Sequence, residues 1–572
     1  MKRLIDVAMK REEADLVLKN ARIVNVFTGE LEEGDVAIAD GRIAGIGSYS
    51  AKKEEDMSGK ILAPGFIDTH MHIESSMMTP SHFGKAIVPY GTTTAVADPH
   101  EIANVLGVKG IDFMIKEAES VPVDFRFMLP SCVPATPFEH NGAVIDGALT
   151  AEVIGRDDIF GLGEFMNAPG VVFADGDVLT KLESAVSARK VIDGHYPSCS
   201  PDELNAYSGA GIKTDHECID TLDALAKIKR GMYIQMREGT ATRNLRDLMP
   251  IVNKNTLRRC LFCTDDKQVE DLLARGHIDN NIKIAIECGL TPIEAITIAT
   301  LNAAECYDMT DRGAIAPGRI ADIVVIGSFE EFNIEKVFKR GKLVAEGGKA
   351  LFDAATLEDG SVKDTVHMKE MTLDDVRLPL KSGRVNVMRL LPKNVVTERV
   401  TRNVKVKDGY FEYDRDSDIS KIVVAERHKN TGNIGIGLVE GYGIKGGAMA
   451  LSVAHDSHNI IAIGDNDADI VAAVNEIRRV GGGMTAVSGG RVYGTLELPI
   501  AGLMSDRGID YILETTKRLT SYATSELKVA DGIEPFMSLS FLSLVVIPEL
   551  KINDVGLFDY SSFSHIDVEA TE

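Results

Sequence analysis

The sequence predicts an α/β protein: a (β/α)8 TIM barrel over residues 61–312, a small β-sandwich side domain built from two chain segments, and a C-terminal α+β domain over 356–572. Three observations predict it. Eight short apolar runs follow one another in the first half of the chain, each ending in polar residues able to do chemistry, with helix-length gaps between most of them. Two distant stretches, 15–60 and 313–347, share one β-rich style. Beyond about residue 360 the texture changes again. A chain of 572 residues is too long for one ordinary core, so several domains are expected.

The runs are ILAPGFIDTHMH, TTTAVADPHE, DFRFMLPSC, IFGLGEFMN, KVIDGHYP, GIKTDHE, MYIQMREGT and LFCTDD. A parallel barrel places its chemistry at the C-terminal ends of its strands, which is where these polar residues fall. An open doubly wound sheet should carry a glycine-rich phosphate loop after its first strand, and this sequence has none. One helix is marked clearly: Thr291 caps it, Pro292 takes its first position, and Glu294 completes a capping box before AITIATLNAAE.

The side domain is expected from 1–60, with an N-terminal helix, and from 313–355. LVLKNARIVNV and DVAIADGRIAGIG alternate apolar and polar positions, with Gly29, Gly34 and Gly41 at turns. GAIAPGRIADIVVIG and KVFKRGKLVAEGG repeat that style. In the C-terminal domain, strand-like RVNVMRLL, KIVVAER, AMALSVAH and NIIAIG surround one helix, DADIVAAVNEIRRV, stopped at Gly481-Gly482-Gly483.

Charge narrows the function. Lys plus Arg total 62 and Asp plus Glu total 86, a formal charge of -24. Such a surface repels nucleic acid and anionic membrane, so neither is expected as a partner, and a small neutral or cationic substrate fits better. The N-terminal MKRLIDVAMKREEADLVL is broken by Asp6, Lys10, Arg11 and Glu12, so no signal-peptide core is expected there. The apolar run Phe536 to Ile547 is interrupted by three serines and is too short to span a bilayer. The expectation is a soluble, cytoplasmic protein. The seven cysteines are odd in number and scattered, which is no disulfide framework. Cys260 and Cys263 form a C-x-x-C with no second pair, and read as small apolar residues of a buried strand.

The strongest local signal is PGFIDTHMHIESS. His70 and His72 alternate along a strand and point the same way, with Asp68 on the same face. Two imidazoles at a strand end can grip a divalent metal. Taken alone, H-x-H is equally well explained by two histidines in a surface loop. The other run ends change that balance: Glu164, His195, His216 and Asp265 each sit where an apolar run stops. Imidazole and carboxylate together suit zinc, iron or manganese. A carboxylate such as Glu164 can bridge two ions, and two ions sharing one water can supply hydroxide at neutral pH. Each residue singly would be read as a surface polar group or a helix cap; the joint pattern is what chance does not produce.

This set resembles the amidohydrolase superfamily. In that resemblance His70, His72 and Asp265 hold one metal, His195 and His216 the other, and Glu164 takes the bridging position where many members use a modified lysine. Within the superfamily, HMHIESSMMTP, ADPHEIANV, GLGEFMN, DGHYP, TDHE, CTDDK and VAHDSHNIIAIG resemble the adenine deaminases, over nearly the whole chain. One departure is Gln268 after CTDDK. The resemblance implies hydrolysis of adenine to hypoxanthine and ammonia, a binuclear manganese centre with iron or zinc as alternatives, and Asp265 as both ligand and proton acceptor.

The purine ring needs a separate acid, for which Glu74, Glu101 and Glu217 are candidates and Glu101 is slightly favoured. Glu101 read blandly is a first-turn helix carboxylate. Asp266 is expected to orient a histidine ligand. His100 is read as an extra ligand or a polar wall, and Glu74 with Ser75 as contacts to the purine edge or the start of a helix. His455, Asp456, His458 and Asn459 form a polar knot that is either a turn facing water or a cap over the barrel mouth. Other readings are an amidohydrolase acting on another base or a cyclic amide, and a non-catalytic barrel scaffold, which predicts lost ligands. A nucleic-acid deaminase would show H-x-E and P-C-x-x-C, which are absent. Homo-oligomeric assembly is an expectation for which the sequence offers no interface pattern.

Overall fold

The eight apolar runs form eight parallel strands: β1 (Phe66–Met71), β2 (Thr92–Ala97), β3 (Asp124–Leu129), β4 (Gly161–Phe165), β5 (Val191–Gly194), β6 (Thr214–Asp215), β7 (Tyr233–Arg237) and β8 (Cys260–Cys263). This computed structural model describes residues 1–240, 242–392, 394–414 and 416–570. β1 to β5 make one parallel ladder and β6 to β8 another, each strand beside its neighbour in the chain. The two arcs are tied at both edges. At one, Lys213 N–H donates to Ile192 O at 2.9 Å; at the other, Asp265 N–H donates to His70 O at 3.0 Å, and Met71 and Asp265 form a parallel bridge. The sheet therefore curls on itself in the sense the expected barrel requires, although its ladder runs as two arcs. β1, β2 and β8 are buried along their whole length, as strands covered on both faces must be. Cys260 and Cys263 bracket β8 as free, buried thiols.

Both side segments enter one nine-stranded sheet. The joint is antiparallel pairing of Ile61–Pro64 with Ile323–Ile326. Leu18, Ile23, Val36, Leu62, Ile323 and Phe338 form its core. Burying each such side chain stabilises by roughly 1.5–3 kcal/mol, so the joint across the 258 residues of intervening chain is held by packing as well as pairing. The N-terminal helix Lys2–Ala8 packs Val7 with Val17 and Ala37.

A charged cluster fixes this sheet to the N-terminal ends of the barrel strands. Lys339, only 4% exposed, donates to Asp322 at 2.6 Å, Asp124 at 2.8 Å and Thr93 O at 3.0 Å. Arg312 donates to Asp124 at 2.6 Å and to Thr94 Oγ1 at 2.9 Å.

After β8 the expected capping box is formed by Thr291 and Glu294. The helix it opens runs Pro292–Thr297, loosens into a π turn over Ile298–Asn302, and resumes at Ala303–Cys306. The C-terminal region builds an eight-stranded sheet that includes Arg384–Leu390, Ile419–Ala425, Ala448–Leu451 and Ile460–Gly464. Helix Asp467–Val480 lays Ile470, Ala473, Val474 and Ile477 on it, a spacing that keeps all four on one face. It stops at Gly481, whose φ of 76° is the left-handed cap glycine adopts freely. Phe536 to Ile547 begins as helix Pro535–Ser540 and continues through a turn over Phe541–Ser543. Among the described residues, no helix is long and apolar enough to cross a membrane.

Candidate active site

The C-terminal ends of the parallel strands converge on Glu164, the penultimate residue of β4. One of its oxygens, Oε1, lies 3.5 Å from His72 Nε2 and 3.2 Å from His100 Nδ1. The other, Oε2, lies 2.6 Å from His195 Nδ1 and 3.3 Å from His216 Nε2. Asp265 Oδ1 stands 3.2 Å from His72 Nε2 and 3.9 Å from His70 Nε2. The His70 and His216 rings stack with centroids 4.1 Å apart. All six residues expected as ligands are thus gathered at one place, and His100 joins them.

The chemistry of this cluster fits divalent metal. His70 is 0% exposed, yet neither of its ring nitrogens has a hydrogen-bond partner. Burying an unsatisfied polar group costs about 1–3 kcal/mol, so such a group calls for an occupant. The donors are imidazole nitrogen and carboxylate oxygen, a set suited to manganese, iron or zinc. His70, His72 and Asp265 form one group with ligand-like spacing, and His70, Glu164 and His216 another.

Surrounding residues aim these side chains. Asp98 O holds His72 Nδ1 at 2.9 Å, leaving Nε2 toward Glu164 and Asp265. The Asp98 carboxylate accepts the Glu164 N–H at 2.8 Å. A Cβ on Gly163 would collide with that carboxylate, which is why the motif reads Gly-Glu. Asp68 accepts from Thr264 N–H at 3.1 Å and Thr264 Oγ1 at 2.5 Å, fixing the residue before Asp265. Asp265 itself sits at φ 54°, in the left-handed region that Asp tolerates better than most residues. Arg237 donates to Asp265 Oδ2 at 2.8 Å and also binds Glu217. Burial alone would raise the Asp265 carboxyl; Arg237 and His72 instead hold it well below the usual carboxylate range. Tyr207 accepts the His195 N–H at 2.9 Å and donates to Phe165 O at 2.6 Å, tying β5 to β4. Asp98, Arg237 and Tyr207 were not singled out from the sequence. Asp98 and Arg237 end the second and seventh runs, so run-end position was a signal for both; Tyr207 lies in a helix and carried none.

The region 61–344 matches the model of the amidohydrolase family, and 394–564 matches that of the adenine deaminase C-terminal domain. The chain is 48% identical to adenine deaminase 2 of Carboxydothermus hydrogenoformans, over 99% of both chains. It is 46% identical to the adenine deaminase of Nitratidesulfovibrio vulgaris strain DP4, over 99% of this chain and 98% of that one. The chain belongs to the adenine deaminase family. Among solved structures, the β-aspartyl dipeptidase of Fervidobacterium islandicum AW-1 is similar with a TM-score of 0.47 and 16% identity, over 59% of this chain and 98% of its own.

In this adenine deaminase family chain the C-terminal domain reaches the C-terminal ends of the parallel strands. A cleft lies between them, walled by Ser75, Asp266 and Gln268 on the side of the parallel strands and by His455, Phe536 and Phe541 on the other. The knot at 455–459 is therefore a cap rather than a turn facing water: His455, Asp456, His458 and Asn459 are all buried. It grips Glu101. His455 Nδ1 lies 2.9 Å from Glu101 Oε1, and His458 Nε2 contacts Glu101 Oε2. His100 Nε2 is 3.5 Å from the same carboxylate. Asp456 Oδ1 is 3.9 Å from His455 Nδ1.

Two expectations change. Glu101 is a first-turn carboxylate of the helix His100–Leu106 and is not the carboxyl that burial keeps protonated: burial alone would raise it, but His455, His458 and His100 hold it well below the usual range. Asp266 does not orient a histidine; it accepts from Ser75 Oγ, and the backbone of Asp98 takes the orienting role. Glu74 is the carboxyl that burial does raise, up to about 7, with Glu101 adding repulsion. Its Oε1 accepts the Ile102 N–H at 3.2 Å, while Oε2 has no partner.

Proposed function

We propose that this chain hydrolyses adenine to hypoxanthine and ammonia with two divalent metal ions held by His70, His72, Glu164, His195, His216 and Asp265. The observation that carries the metal assignment is Glu164, whose two oxygens face two different pairs of imidazoles. Family membership at 44–48% identity over nearly full length supports adenine as substrate. When bound, such a pair lowers the pKa of water enough for attack at neutral pH.

The remaining work falls to the chain's own residues. Asp265, fixed by Arg237 and by its left-handed backbone, takes the proton of the attacking water and passes it toward the departing amine. Of the carboxylates considered for the purine ring, Glu217 is paired with Arg237 and Glu101 with histidines, whereas among the described residues Glu74 is in no ion pair and its buried Oε2 has no partner, so Glu74 is assigned to ring protonation. The cap excludes bulk water, which strengthens each of these interactions. Manganese is the metal we assign, supported by nitrogen and oxygen donors without thiolate. The charge of -24 supports a small-molecule substrate over nucleic acid or membrane. We carry cytoplasmic location and homo-oligomeric assembly as further parts of the proposal.

Ammonia release from adenine by apo protein and by protein reconstituted with manganese tests this. Metal-dependent conversion to hypoxanthine is the expected result. Tight metal binding with no turnover of adenine would remove the substrate assignment and leave the metal centre standing.

A further inference from the structure

We propose that His455, from the C-terminal domain, touches the substrate: its Nε2–H donates to a ring nitrogen of the purine, while Glu101 grips the opposite side of the imidazole and fixes its orientation. The inference rests on adenine being the substrate and deepens that reading, because it makes the C-terminal domain part of the chemistry.

Four observations lead there. His455 Nδ1 lies 2.9 Å from Glu101 Oε1, which leaves Nε2 as the ring nitrogen for another partner. His455 is a wall of the cleft that also contains Ser75 and Asp266, neighbours in the chain of Glu74 and Asp265. The residue is clamped: Phe541 stacks on its ring at 4.6 Å, its backbone N–H donates to Ser540 O at 3.2 Å, and Ser543 Oγ donates to its backbone carbonyl at 3.0 Å. The loop behind it is anchored by the fully buried Arg427, which binds His458 O and donates to Ala501 O at 2.9 Å. Such rigidity is what a directional contact to a flat ligand needs.

The surroundings decide which way the hydrogen bond runs. Carboxylates of Glu101, Asp456 and Asp266 surround His455; burial opposes its charge, but these anions prevail and push its pKa up to about 9. A positively charged imidazole offers a proton at Nε2 rather than a lone pair. Donation to a ring nitrogen draws electron density from the purine and makes C6 easier to attack, so the bond strengthens as the reaction proceeds.

Glu101, His455 and His458 also have the spacing of a metal-binding group. The His458 tautomer argues against that occupant. Ala454 N–H donates to His458 Nδ1 at 3.2 Å, which makes Nδ1 the lone-pair nitrogen. Nε2 of a neutral His458 then carries the proton, and it points at Glu101 instead of presenting a lone pair to a cation. Glu101 is thereby a positioning residue, with His455 Nδ1 2.9 Å from one of its oxygens and His458 Nε2 against the other.

The test uses the full-length, metal-loaded protein and two variants. His455→Asn keeps a donor toward Glu101 but has nothing in the place of Nε2; His455→Gln places an amide near the Nε2 position. For His455→Asn, kcat/KM for adenine should fall on the order of 100-fold, with metal equivalents and unfolding midpoint unchanged. His455→Gln should recover about tenfold of that loss, which a merely structural role would not give. Inhibition constants of 1-, 3- and 7-deazaadenine then locate the contact. The analogue lacking the nitrogen that His455 meets should bind wild type and His455→Asn alike, while the other two weaken about tenfold. Equal weakening of all three, kcat/KM within about threefold of wild type, or loss of a metal equivalent would each overturn the proposal. Wild-type turnover of adenine is measured first, so failure of the substrate assignment and failure of the His455 role are told apart.

Discussion

The two ends of the parallel strands each hold a buried cluster of charged residues, and the clusters behave in opposite ways. At the N-terminal ends, Asp124, Arg312, Asp322 and Lys339 satisfy one another and the strand backbone. At the C-terminal ends, His70, Asp98, His100 and His216 keep ring nitrogens or carboxylate oxygens with no partner. Desolvating a charge is costly at either end. The first cluster recovers that cost within itself and joins the side sheet to the barrel. The second does not, because its ligand-bearing atoms are arranged for something the chain does not supply. Burial of charge alone therefore does not distinguish the two ends; the unpaired ring nitrogens and carboxylate oxygens gathered at one of them do.

The comparison is sharpest where its two sides should respond differently. Glu164→Gln or Asp265→Asn should lower kcat/KM for adenine by more than about 1000-fold, because several kcal/mol of metal-dependent stabilisation go with the ligand. Neither should lower the unfolding midpoint of the metal-free protein. A variant that loses stability in step with activity would show that the C-terminal cluster also holds the fold. Lys339→Met should do the reverse. Removing one partner leaves Asp124 and Asp322 short of a cation, at about 3–5 kcal/mol, while the kcat of the folded fraction stays at the wild-type value. Denaturant unfolding and active-site-normalised turnover separate the two outcomes.

Acid sharpens the same contrast. Burial would raise the Asp124 carboxyl, but Lys339 and Arg312 hold it well below the usual carboxylate range. A depressed carboxylate contributes stability in full above its unfolded-state pKa, near about 3.9, and loses it as pH falls toward the folded-state value. The stability gap between wild type and Asp124→Asn should thus be complete at about pH 6 and smaller at about pH 3. A gap that does not narrow would mean Asp124 acts through packing and not charge. The smallest expected effect lies in neither cluster: Thr291→Ala removes a helix cap and should cost about 1 kcal/mol of stability with no change in kcat.

Much of the site was legible because a parallel barrel sorts residues by position. A polar residue at the end of an apolar run is carried to one rim, so His70, His72, Glu164, His195, His216 and Asp265 could be grouped by that rule alone. The rule also covers Asp98 and Arg237, which contact His72, Glu164 and Asp265 from the ends of the second and seventh runs. It could not reach Tyr207 or Arg427, which act from elements whose placement depends on packing. It placed Glu101 beside His100 at the start of a helix, where it is found, but not against the two histidines more than 350 residues later that close on it.

The sequence by itself determined the alternation of strand and helix, the two-segment side sheet, the capping of the helix at Thr291 and which imidazole and carboxylate residues meet at the strand ends. These follow from local patterns: apolar runs, turn glycines, and imidazole or carboxylate at strand ends. Only the tertiary structure decided which oxygen of Glu164 faces which histidines, that Asp98 aims both His72 and Glu164, and that the C-terminal domain brings His455 and His458 onto Glu101. Those are contacts between chain segments far apart in sequence, set by how whole domains pack, and no local pattern encodes the distance between them.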